Sequence, residues 1–172
     1  LRSDWSSDVC SSDLQAVEDG AQIISISQGT GRLDNDVKWA IANAINQGVI
    51  IVASVGNTAA DENSTHLSQW SGVVGVSAIN TDGSFASYSS WGNGVVTAAI
   101  GGPFKTINPT TNQPTTVSGT SNSTALVAGM LALARQKWPE ATPNQILQSL
   151  VHSGLNPNHE WNKYTGYGAI DG

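Results

Sequence analysis

Positive charge is scarce in this chain. Its 172 residues hold seven Lys and Arg against thirteen Asp and Glu, a formal net charge of -6. The seven are widely spread, so no basic cluster exists to neutralise a run of phosphates or an anionic lipid surface. Nucleic acid and membrane are therefore excluded as expected partners. Long apolar runs are missing too. None approaches the ~18 residues that span a bilayer, and no basic-then-apolar signal segment opens the chain. Internal repeats and domain-dividing linkers are also lacking. Only 12% of residues are charged while 39% are hydrophobic, which excludes a disordered tail or a coiled coil and leaves a chain able to bury a core. The length fits about one domain.

Cysteine is nearly absent. The single one, Cys10, sits in "LRSDWSSDVCSSDL". Residues Asp4 to Leu14 resemble the translation of a common sequencing adapter, so residues 1–14 are read as non-native and set aside from the fold. Cys10 then says nothing about redox compartment. The natural protein is expected to extend upstream of Gln15.

What is present alternates short apolar runs with helical periods. "AQIISISQG" is a β-branched run closed by Gly29. Asp34 or Asn35 can cap a helix with Val37, Ile41, Ala44 and Ile45 on one face, stopped by Gly48. "VIIVASVGN", "GVVGVSAI" and "GVVTAAIGG" follow, with a turn at "NTDGS" and a turn-rich excursion at "NPTTNQPTT". Runs apolar on both faces and alternating with helices predict central strands of a parallel sheet, covered on both sides: an α/β class.

The segment "SGTSNSTALVAGM", Ser118–Met130, crowds hydroxyls onto the start of an apolar run. From Ser121 the run is apolar nearly all the way round until Arg135, which predicts a helix buried in mid-domain, ended by Pro139. Thr142, Pro143 and Gln145 stand at the N-cap, first-turn and capping-box positions of a second helix, whose face is Ile146, Leu147, Leu150 and Val151. Hydroxyls at a helix start commonly cap free N–H groups, and taken alone this would be the reading of the cluster.

The segment also resembles the nucleophile motif of the subtilases, the subtilisin-like serine proteases, written G-T-S-x-A-x-P-x-V-A-G. Gly119, Thr120, Ser121, Val127, Ala128 and Gly129 match in register, while Ser123 and Ala125 replace the usual Ala and Pro. The resemblance implies a three-layer αβα fold with a mostly parallel sheet, and makes Ser121 the nucleophile at a helix N-terminus. "VIIVASVGN" resembles the family strand ending in A-A-G-N, which assigns Asn57 as the side-chain donor to the oxyanion. "IISISQGT" resembles the segment ending in S-L-G, so Ser27, Gln28 and Gly29 would pair with extended substrate and wall its main pocket. Gln28 departs there from the usual Leu. Ser54, Val55 and Gly56 take the opposite wall. The ending "YTGYGAIDG" follows the family as well, so the resemblance covers nearly everything after Gln15.

A serine hydroxyl needs a base, and the base needs an orienting acid. The family's Asp and His motifs, expected upstream of Asn57, do not occur in this chain. His66, His152 and His159 lie in other contexts and read as surface residues; Asp61 and Glu62 read as a solvated loop rather than metal ligands. The expectation is the C-terminal part of a serine endopeptidase domain acting on polypeptides. The alternative is a subtilase-fold protein that binds peptides without cleaving them. No cofactor is evident; calcium and an extracellular location are implied only by the resemblance.

Overall fold

The computed structural model describes residues 15–28, 35–62 and 65–170. The leading segment of residues 1–14 and the cleft residue Gly29 lie outside these. Four strands, β1 (Ile23–Ile26), β2 (Ile50–Ser54), β3 (Val73–Ile79) and β4 (Val95–Ile100), form one sheet in that order, every pair parallel. Helix α1 (Asn35–Asn46) connects β1 to β2. Helices α2 (Thr120–Lys137) and α3 (Pro143–His152) follow β4.

Alternation along the strands sorts the core into two halves. Ile24, Ile26, Ile51, Ala53 and Val73 pack with Val37, Ile41 and Ala44 of α1. Ile50, Val52, Val74, Val76 and Ala99 pack on the other side with Val127, Leu131 and Ile146 of α2 and α3. The result is the expected three-layer α/β arrangement. All five residues of β2 and all seven of β3 are buried, which is why those runs are apolar without alternation.

Three expectations need correction. The excursion after β4 is more regular than its turn residues suggest: β5 (Phe104–Ile107) and β6 (Pro114–Val117) pair antiparallel as a hairpin. Asn108 shapes its tip, its side-chain oxygen accepting the N–H groups of Thr110 and Thr111. Helix α2 is apolar around its circumference but not buried around it. Thr120, Ser123, Thr124, Val127 and Leu131 form the inner stripe, whereas Leu126 and Leu133 are 44% and 66% exposed. Finally, His66 is a buried residue. Its Nδ1 accepts the Ser68 N–H at the start of a 3-10 turn (Leu67–Gln69) and lies 2.8 Å from the Ser68 hydroxyl.

The capping box of α3 forms as its sequence predicts: Thr142 accepts from the Gln145 N–H while the Gln145 side chain accepts from the Thr142 N–H. No helix among the described residues is long and apolar enough to cross a membrane.

Candidate active site

Parallel strands carry their carboxyl ends to one edge, where α/β sheets place their sites. Ser27 and Gln28 follow β1 there, and Val55, Gly56 and Asn57 follow β2. The N-terminus of α2 reaches the same edge. It is held by a backbone bond from the Gly119 N–H to the carbonyl of Gly101, just after β4 (2.9 Å), and by the Asn122 side chain donating to that carbonyl (3.1 Å). Gly101 has to be glycine: a Cβ there would collide with the Tyr88 hydroxyl and lie 2.7 Å from the Ala78 Cβ. Burial pushes the Tyr88 phenol above its ordinary pKa.

The hydroxyl cluster does not cap its helix. Gly119, the N-cap residue, offers no side chain. Thr120 gives its hydroxyl to Asn57 Oδ1 (3.0 Å), Ser121 to the Ser27 carbonyl (3.2 Å), Ser123 to the Ala99 carbonyl (2.9 Å) and Thr124 to the Thr120 carbonyl (2.7 Å). Each of these four hydroxyls donates to an oxygen, and three of them reach outside the helix. The cap comes from elsewhere in the chain, because Asn57 Oδ1 accepts the Thr120 N–H at 2.8 Å.

That double acceptance fixes the Asn57 amide. With Oδ1 committed to Thr120, Nδ2 has no protein hydrogen-bond partner among the described residues and is free to donate. It lies 3.4 Å from where a Gly119 Cβ would be, beside the residue two before Ser121. An exposed donor and a partly exposed hydroxyl thus share the positive end of one helix. Such an arrangement can hold the negative charge that develops on a carbonyl oxygen when a hydroxyl such as that of Ser121 adds to its carbon.

The predicted cleft residues divide by what they offer. Ser27 and Gln28 are exposed, and the Ser27 hydroxyl reaches the Ser121 carbonyl at 3.5 Å. Ser54 and Val55 are buried, so the wall they make is backbone. Val55 donates its N–H to the Val76 carbonyl on β3 (3.1 Å). By strand alternation Ser54 turns its own peptide groups to the opposite side, that of β1. Gly56 adopts φ +99° and its carbonyl accepts from the Ser90 N–H (2.9 Å).

The subtilase family model matches residues 5–168. The chain belongs to the subtilase family. It is 32% identical over 137 residues to a thermostable alkaline protease of Halalkalibacterium halodurans, covering 78% of this chain and 37% of that protein. It is 29% identical over 154 residues to an extracellular protease of Xanthomonas campestris, covering 86% of this chain and 27% of that protein. The structure superposes on MycP1 from Mycobacterium smegmatis with a TM-score of 0.78 at 27% identity, covering 96% of this chain and 53% of that one. The chain therefore spans between about a quarter and just over half the length of these relatives.

Sequence reasoning missed the residues that hold the candidate site together. Thr120 lies inside the quoted motif, but nothing in the sequence ties it to Asn57, 63 positions away. The Ser27 carbonyl, the acceptor for Ser121, has no side-chain signature at all. The segment after Asn57, read as a solvated loop, places the half-buried Glu62 and the buried His66 against Gly56. Burial lowers the His66 pKa, partly offset by the negative charge of Glu62. Among the described residues no histidine or carboxylate bonds Ser121, and no group of three or more His, Cys, Asp or Glu gathers as a metal-ligand set.

Proposed function

We propose that this chain is part of a serine endopeptidase that cleaves polypeptides through an acyl-enzyme on Ser121. In this reading the Ser121 hydroxyl attacks the scissile carbonyl, and Asn57 Nδ2 donates to the oxyanion that forms. The peptide groups around Ser27 and Ser54 hold the substrate extended. The base that takes the serine proton, and the acid that orients it, come from residues outside this chain. The observation that carries the proposal is the pair of hydrogen bonds from Thr120 to Asn57 Oδ1. They aim a free N–H donor beside the serine, and a protein that only bound peptides would have no use for such a donor. Export from the cell is proposed with it, in keeping with the extracellular relative.

The test is labelling by a fluorophosphonate probe, with the modified residue mapped by mass spectrometry. Without a base the chain alone should label poorly, since an oxyanion donor and binding by themselves leave only about 10³-fold acceleration over water. The protein with its upstream region restored should label at Ser121, and Ser121→Ala should abolish this. Labelling of a different serine, or none in a folded protein that carries Asp and His motifs, would replace the protease with a peptide-binding protein.

A further inference from the structure

One wall of the cleft is thin, and a negative charge stands behind it. Gly56 has no side chain, and the place its Cβ would occupy lies 3.4 Å from Glu62 Oε1, 3.5 Å from Ser90 Oγ and 3.8 Å from His66 Nε2. Glu62 is held there by its backbone, whose N–H bonds the Trp91 carbonyl at 2.8 Å. The neighbouring Asp61 bridges to the same tryptophan. Among the described residues the carboxylate receives one long hydrogen bond, from the Thr58 hydroxyl at 3.4 Å.

No Lys or Arg among the described residues forms an ion pair with it. Among the described residues Lys163 is taken by Asp61 at 2.7 Å. Arg135 donates to the carbonyls of Ala141 and Gly48. Lys38 and Lys137 lie over Trp70 and Trp138. Among the described residues His66 stands close by, its Nε2 3.8 Å from the same Gly56 Cβ position. Its Nδ1 is an acceptor for the Ser68 N–H and burial favours its neutral form, so at neutral pH it leaves the Glu62 charge in place. A half-buried carboxylate offers a cationic group charge-assisted hydrogen bonds.

We infer that Glu62 sets the specificity of the cleft between Ser27–Gln28 and Ser54–Gly56, and that the cleft takes a lysine or arginine side chain of the substrate. The inference rests on the proposed protease and narrows its substrate. The apolar stem of such a side chain would lie along the backbone walls, with its cationic head passing Gly56 to Glu62. The Gln28 amide, standing where the family usually has an apolar leucine, adds a polar group to the facing wall.

Two measurements test this separately from the chemistry. Binding of benzamidine and of its uncharged analogue benzamide to the chain is followed by NMR titration. Benzamidine should bind about tenfold more tightly, as expected for a charge-assisted contact. Glu62→Gln should erase the difference. Glu62→Asp, which keeps the charge but draws it back, should reduce it, and serves where the first variant folds poorly. Equal binding of the two compounds, no binding of either, or a difference that survives Glu62→Gln overturns the inference whether or not the protein is a protease. In the protein with its upstream region restored, cleavage of a peptide library should favour bonds after Lys and Arg, and Glu62→Gln should lower kcat/KM for those bonds about tenfold relative to bonds after Leu. Labelling at Ser121 together with indifference to Lys and Arg would retain the protease and discard the role of Glu62.

Discussion

Asn57 Oδ1 accepts both hydrogen bonds that Thr120 can give, from its N–H at 2.8 Å and its hydroxyl at 3.0 Å. One group thereby caps the helix carrying Ser121 and fixes its own amide orientation. Thr120→Val keeps the shape and the backbone bond but removes the second anchor. In an active protein carrying this chain, kcat should fall about fivefold with KM little changed, the worth of about 1 kcal/mol for one hydrogen bond. Asn57→Leu should cost ~10²–10³ in kcat, the range known for the asparagine donor of subtilisin. A Thr120→Val effect as large as that of Asn57→Leu would mean that the threonine acts on substrate directly.

The buried Ser123 stands where the family motif has alanine and is satisfied by the Ala99 carbonyl at 2.9 Å. Ser123→Ala removes both a hydroxyl and its need for a partner, so urea unfolding should shift by no more than about 1.5 kcal/mol. Ser123→Val adds bulk against β4 and should cost about 1–3 kcal/mol.

Gly101→Ala should destabilise by roughly 1–3 kcal/mol, because the added Cβ meets the Tyr88 hydroxyl and the Ala78 side chain. Tyr88→Phe takes away the first obstacle and not the second. The double variant should therefore recover part of the loss, which a thermal-melt cycle of the four proteins would read as a coupling energy.

His66 gives stability a pH dependence with a definite sign. Burial lowers its pKa in the folded protein, so below the ordinary imidazole value of ~6.5 the unfolded chain takes up the proton more readily. Stability should be full above that value and decline as pH falls from it toward the lowered folded-state pKa. His66→Gln should flatten this part of the curve while leaving the carboxylate-driven decline at lower pH.

Much of this could be read from the residues alone, for physical reasons. β2 and β3 announce themselves because a strand buried on both faces is apolar along most of its length, without alternation. The α3 cap is local, since Thr142 and Gln145 are three positions apart. Ser121 and Asn57 were singled out through motifs. Their partners were not: a carbonyl such as that of Ser27 looks the same in every sequence, and His66 and Glu62 became a specificity candidate only once the fold brought their loop behind Gly56. The exposure of Leu126 and Leu133 was also unreadable, because composition shows that a helix is apolar and not which neighbours cover it.

The Asn57–Thr120 contact spans 63 residues, and that separation has a consequence in time. On the ribosome the donor emerges long before the serine, and all four strands precede the helix that unites them. Until α2 docks, Ser121 is an ordinary hydroxyl on a flexible chain with no charge-stabilising partner near it. A nascent or partly unfolded copy thus holds the serine and the amide apart, and their pairing arrives in one step, when α2 docks.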